Sequence, residues 1–248
     1  MDSSHVRASY MTPRVAAAAL APRNLLLAGL PDVDRRRLMA HCEPVELVFE
    51  EVLCEVGERI RHVYFPTASF ISLISLVDKG SNLEVGLVGA EGMFGSSLLL
   101  GVEVASLRAL VQGAGPALRI DAAQFSRELK GSPALRKRLN SYLYVLFTQL
   151  AQMAACARFH VVEARLARWL LMTRDRAQSN EFRITQDFLG YMLGVRRAGI
   201  TRAASTLQKR RLIRYSRGRM RILDARGLEG ASCECYATAA QTYARVMA

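Results

Sequence analysis

The sequence predicts an α+β chain: short strands closing into a sandwich or barrel, then a long helix, then a winged helix-turn-helix. Three observations predict it. Short apolar-alternating runs with Gly or Pro in most gaps fill residues 43–121. A charge-free stretch, Leu139 to Ala157, repeats its apolar residues in steps of four and three. A glycine at 194 separates two helical patterns, and an arginine-rich hairpin pattern follows them.

Residues 1–22 read as a mobile tail. The apolar run Val15–Ala21 is broken by Pro22 and is too short for a secretory core. Asn24 to His41 reads as helix, with Leu26, Leu27, Leu30, Leu38 and Met39 apolar and a break at Pro31-Asp32. Strands are predicted around Val45, Leu47 and Phe49, at Val63–Phe65, over Phe70–Leu76, around Leu83, Val85 and Leu87, and over 107–112 and 117–121. In the fourth of these, Glu84, Gly86 and Val88 fall on the opposite face.

Ser132-Pro133 opens the long helix, with Ser as N-cap and Pro at the first helical position. Leu139, Leu143, Leu146, Leu150, Met153 and Ala157 form its seam, for which the simplest partner is the same helix of a second copy. Tyr142, Val145 and Phe147 lie off the seam and are expected to face the strands. Asn140, Ser141, Thr148, Gln149 and Gln152 argue against a membrane span and for a helix buried on two sides. A further helix is predicted over Val161–Arg174, with Leu166, Trp169 and Leu170 on one side.

The most informative stretch is 185–207. Thr185 can cap a helix whose first turn holds Asp187. Leu189, Met192 and Leu193 supply an apolar face, and Gly190 lets a second helix cross closely. Gly194 supplies a left-handed turn, and Val195, Ile200, Ala203 and Leu207 return to the same core. Arg196, Arg197, Thr201 and Arg202 then point outward at the start of the second helix, the end that enters a major groove. Leu212–Leu223 reads as a hairpin turning at Arg217-Gly218, with Ile213, Tyr215, Met220 and Ile222 apolar and Arg214, Arg217, Arg219 and Arg221 cationic. Base readout falls to Arg197 and Arg202, and phosphate contact to wing arginines such as Arg217 and Arg219.

Charge agrees. Residues 157–226 hold 17 of the 34 Lys+Arg but only 5 of the 22 Asp+Glu, so this block carries the whole net charge of +12. Such concentration points to a polyanion, duplex DNA first. The five cysteines, Cys42, Cys54, Cys156, Cys233 and Cys235, are odd in number and scattered, which fits a reducing, cytoplasmic setting. Cys233-x-Cys235 offers two metal ligands at most, and His5, His41, His62 and His160 are isolated, so no metal is expected. There is no P-loop, HExxH or nucleophile elbow, and Gly86, Gly89 and Gly92 are not spaced as a dinucleotide fingerprint. No catalytic residue and no cofactor are therefore expected.

From Asn24 to Tyr236 the chain resembles the Crp/Fnr family of bacterial regulators. Gly190, Gly194, Arg197 and Arg202 fall where that family keeps a small residue, a turn glycine and two DNA-contacting arginines. Arg196 and Ala198 depart from its usual Ser and Glu, which removes a cytosine-type contact. The resemblance implies a β-roll (double-stranded β-helix or jelly-roll type) over 23–131, a dimerisation helix over 132–158, a winged helix-turn-helix over 159–227 and a helical tail over 228–248. It also implies a homodimer on an inverted-repeat operator, RNA polymerase as a partner, and an effector pocket at Glu91, Gly92, Gly95, Ser96 and Arg108. Members that bind cyclic AMP meet the ribose with Gly-Glu and the phosphate with Arg-Ser. Here Glu91 precedes Gly92 and Arg108 is followed by Ala109, so another small-molecule effector, or none, is expected. The family's iron–sulfur members use N-terminal cysteines, and residues 1–40 contain none. The competing reading is a small-molecule sensor that signals to an acidic protein partner.

Overall fold

The computed structural model describes residues 23–77 and 81–248. The expected tail, with His5, lies outside the described residues. Helices α1 (Leu25–Ala28) and α2 (Asp32–Met39) flank Pro31, whose extended backbone caps α2.

The strands are β1 (Glu43–Leu47), β2 (Val52–Cys54), β3 (His62–Pro66), β4 (Phe70–Val77), β5 (Ser81–Val88), β6 (Arg108–Gly113) and β7 (Gly115–Asp121). They form two antiparallel sheets, ordered β1-β7-β3 and β2-β6-β4-β5. Val63 and Phe65 of β3, Ile71 of β4, Ala109 and Val111 of β6 and Ile120 of β7 fill one buried core. Neither β2 nor helix α3 (Ala122–Gly131) had a sequence assignment. β2 is only three residues long between glutamates, too short for a period of two to show. Helix α3 starts on the Asp121 carboxylate, which accepts from the Ala123 and Gln124 amides at 2.9 and 3.0 Å.

Helix α4 (Pro133–Phe159) begins as expected, with Ser132 Oγ accepting from the Leu135 amide at 3.0 Å. Leu135, Leu139, Tyr142 and Val145 enter the β-roll core. Phe147 does not: it is 70% exposed, against the expectation that it faces the strands, and Leu139 is 2% exposed inside its own chain. The exposed stripe of α4 runs through Asn140, Tyr144, Phe147, Ala151 and Ala154, one residue later than the seam read from apolarity, with Leu150 alongside. Of the seam residues only Leu139 is buried with Leu135, Tyr142 and Val145 in the monomer core. Leu143, Leu146 and Met153 are half-buried between the two.

The C-terminal part comprises α5 (Val162–Ala177), β8 (Glu181–Arg183), α6 (Gln186–Leu193), α7 (Arg197–Lys209), β9 (Ile213–Ser216), β10 (Arg219–Ile222), α8 (Ala225–Ala231) and α9 (Cys235–Met247). Leu166, Trp169, Leu170, Leu189, Ile200, Leu207 and Met220 share a second core, which also takes in Ile74 of β4. The outer face of the larger sheet is therefore covered by the C-terminal domain. Segment 228–248 is helical but is no loose end. Met247 is buried in the β-roll core, Arg138 Nη1 donates to its carbonyl at 2.6 Å, and Tyr243 Oη donates to the Glu91 carbonyl at 2.8 Å.

Candidate nucleic-acid interface

Thr185 Oγ1 accepts from the Phe188 amide at 3.1 Å and starts α6, with Asp187 in its first turn. Gly194 ends the helix at φ 61°, a left-handed conformation that costs other residues about 1–2 kcal/mol. A Cβ on Gly190 would lie 2.8 Å from the Val195 carbonyl oxygen, so the crossing of the two helices needs glycine there. Arg196 caps α7 in extended backbone. Ile200, Ala203, Ala204 and Leu207 are buried, leaving Arg196, Arg197, Thr201 and Arg202 exposed on the opposite side. Arg197 Nη1 meets Asp187 Oδ2 at 3.3 Å, both well exposed, a pair worth little against a phosphate or guanine. Thr201 Oγ1 donates to Gln186 Oε1 at 2.8 Å.

The wing is the sheet β8-β10-β9. Arg217 and Gly218 form its two-residue turn with φ of 50° and 73°, the positive pair that a type I′ hairpin demands. Arg217 and Arg219, with Arg183, Arg214 and Arg221, line a concave surface of 930 Å³. Arg183 went unnoticed in the sequence, because it joins the wing only through the register Arg219↔Arg183 between β10 and β8. Gln208 Oε1 accepts from the Tyr215 amide at 2.8 Å, and Tyr215 Oη donates to the Ile184 carbonyl at 2.9 Å. These bonds fix the wing to α7 and to the entry of α6, and burial pushes the Tyr215 phenol up, keeping it a donor.

Residues 164–231, from α5 to α8, match the sequence profile described as the Crp-like helix-turn-helix domain. Residues 164–231 form a Crp-like helix-turn-helix domain. The fold around it is that of solved Crp/Fnr structures. A putative transcriptional regulator of the crp/fnr family from Eubacterium rectale is 18% identical, with 83% of this chain and 96% of that one covered and a TM-score of 0.65. FixK2 from Bradyrhizobium japonicum is 13% identical over 77% and 98%, with a TM-score of 0.65. The c-di-GMP responsive global regulator CLP of Xanthomonas campestris is 15% identical over 77% and 99%, with a TM-score of 0.64. No curated protein matches the chain. No described helix is long and apolar enough to cross a membrane.

Ahead of the Crp-like domain, the residues expected to form an effector pocket separate. Glu91 Oε1 accepts from Arg176 Nη2 of α5 at 2.5 Å. Gly92 lies under the Tyr142 ring, where any Cβ would strike the hydroxyl. Gly95 and Ser96 do line a cavity of 580 Å³ between the β-roll and α4, with Met93, Phe94, Leu143 and Phe147. Among the described residues no charged one lines it. Arg108 is not on this wall, and its Nε donates to Glu55 Oε2 at 2.8 Å.

Four ligating side chains gather elsewhere. Cys156, His160, Cys233 and Cys235 place their ligand atoms within 4.8 Å of one another where α4, α5, α8 and α9 meet. The sequence reading kept them apart, because 77 residues separate Cys156 from Cys233.

Proposed function

We propose that this chain is a sequence-specific transcription regulator that binds duplex DNA as a homodimer. The observation that carries the reading is the outward set Arg196, Arg197, Thr201 and Arg202 on the first turns of α7, with the basic wing locked beside it through Gln208 and Tyr215. Arg197 and Arg202 read base edges, Arg217 and Arg219 contact phosphates, and Thr185 sits at the groove edge. The exposed Tyr144, Phe147 and Leu150 on α4 favour a twin helix as partner, which places two reading heads on an inverted repeat. Selection of bound sites from random duplexes tests this directly. Recovery of an inverted repeat with half-sites about one helical turn apart is the expected result. Recovery of random sequence would sink the specific reading, and indifference to duplex DNA would favour an acidic protein partner.

The effector is not cyclic AMP in this reading. A phosphate in the cavity beside Gly95 and Ser96 would meet no guanidinium of the described residues, since Arg108 is held by Glu55. An apolar small molecule fits the walls instead. Tyr144 and Phe147 belong both to the cavity wall and to the exposed stripe, so an occupant would touch the surface that the partner helix covers. Calorimetric titration with cyclic AMP is expected to give no heat of binding. RNA polymerase contact and a cytoplasmic location belong to the same reading.

A further inference from the structure

Cys156 lies in the last turn of α4 and His160 caps its end, while Cys233 and Cys235 flank the junction of α8 and α9. Cys156 Sγ stands 3.6 Å from Cys233 Sγ, and Cys235 Sγ stands 3.6 Å from His160 Nδ1. A disulfide would need sulfurs about 2 Å apart. These two pairs stand at the spacing of a tetrahedron's edge, and all four ligand atoms lie within 4.8 Å of one another. With zinc–sulfur bonds near 2.3 Å and zinc–nitrogen bonds near 2.0 Å, ligand atoms stand roughly 3.5–3.8 Å apart. A polynuclear cluster spreads its ligands over several metal atoms and would hold them further from one another.

The surroundings support a metal centre. His160 Nε2 is 3.1 Å from Glu234 Oε1, so with Nδ1 turned to the cysteines the other nitrogen donates to a carboxylate. That is the outer-shell partner that fixes a ligating imidazole's tautomer. Arg165 and Arg168 are only 7% and 5% exposed. Among the described residues neither is hydrogen-bonded to a carboxylate, although Arg168 acts electrostatically on the Glu84 carboxyl. Arg165 donates to the Leu193 carbonyl, and Arg168 reaches only the Met153 and Met172 sulfurs while its Nε lacks a partner. Buried guanidiniums without a contacting ion-pair partner are costly. Three thiolates around one divalent cation carry a net charge of −1, and Arg168 acts electrostatically on all three cysteines.

We propose that Cys156, His160, Cys233 and Cys235 form a mononuclear tetrahedral Cys3His site for a divalent zinc ion. All four positions are filled by protein, which makes the site structural. Three thiols release their protons to solvent as the zinc–sulfur bonds form, and no oxidation state changes. The ion clips the end of the long helix to the segment joining α8 to the strap α9, which runs back to the β-roll.

Metal analysis of the full chain, purified under reducing conditions, should find one zinc per chain. A Cys233→Ser, Cys235→Ser double variant should lose it, and Cys42→Ser should keep it. A variant that fails to fold is bypassed by stripping the parent protein and titrating cobalt. Thiolate-to-cobalt charge-transfer bands should saturate at one equivalent and bleach on adding zinc. Any of four results would overturn the site: no zinc and no cobalt spectrum with thiols reduced, an iron–sulfur absorption, a Cys156–Cys233 disulfide in the freshly purified protein, or zinc retained by the double variant. None of these readouts depends on DNA binding.

Discussion

Trp169 Nε1 donates to Glu84 Oε1 at 2.8 Å across the boundary between the β-roll and the Crp-like domain. Glu84 is 3% exposed, and its Oε2 lies 2.6 Å from Ser72 Oγ, which also contacts Gln112 Oε1. The single hydroxyl proton of Ser72 cannot serve both acceptors, whereas a protonated Glu84 can donate to Ser72 and free that proton for Gln112. Burial pushes the Glu84 carboxyl up to about 7.

The folded protein therefore holds a proton at Glu84 that the unfolded chain gives up near pH 4.5. The stability contributed by Glu84 is full below pH 4.5 and falls by on the order of 3 kcal/mol as pH rises to about 7. Glu84→Gln keeps an acceptor for Trp169 and cannot ionise. Its melting temperature should exceed the parent's at pH 8, and the gap should close at pH 5. Trp169 is the chain's single tryptophan, so fluorescence should titrate near pH 7 in the parent and stay flat in the variant. A flat parent curve would contradict the assignment.

Arg197→Ala should relax base choice at one position of each half-site, at a cost of about 1–3 kcal/mol on the preferred sequence. Arg217→Ala should weaken every sequence alike and reduce the slope of affinity against salt by about one unit. Binding to a panel of half-site variants at two salt concentrations separates the two. Identical losses with unchanged preference would remove α7 from the reading role.

On α4, Phe147→Glu should dissociate the proposed dimer while leaving the circular dichroism of the chain intact. Leu139→Ala should do the reverse, costing about 2–5 kcal/mol of fold stability while sparing association. Light scattering and denaturant titration report the two effects. A Phe147→Glu protein that stays dimeric would move the interface elsewhere.

Gly194→Ala should cost about 1–2 kcal/mol through its left-handed backbone alone. Gly190→Ala should cost more, because its Cβ meets a backbone carbonyl that cannot swing aside as a side chain would. Denaturant unfolding of the two variants ranks them, and the opposite order would mean that the α6–α7 crossing is looser than its geometry implies.

By itself the sequence determined the elements whose cause is local. The Ser132 cap, the Thr185 cap, the Gly194 turn, the Arg217-Gly218 hairpin and the inward set Ile200, Ala203 and Leu207 each rest on a few neighbouring residues, and each forms as read. Tertiary structure decided whatever depended on which faces meet. Alternation along β5 put Glu84, Gly86 and Val88 on one face, yet a register shift against β4 breaks the period, so that Val88 enters the β-roll core while Glu84 becomes a buried partner of Trp169 in the Crp-like domain. Leu135, Leu139, Tyr142 and Val145 of α4 went to its own core, leaving Tyr144, Phe147 and Leu150 outside. Cys156 and His160 met Cys233 and Cys235 only because α8 and α9 fold back along α4 and α5. A period or a cap is written in adjacent side chains. The convergence of distant segments is set by the packing of whole surfaces, which no short stretch of chain encodes.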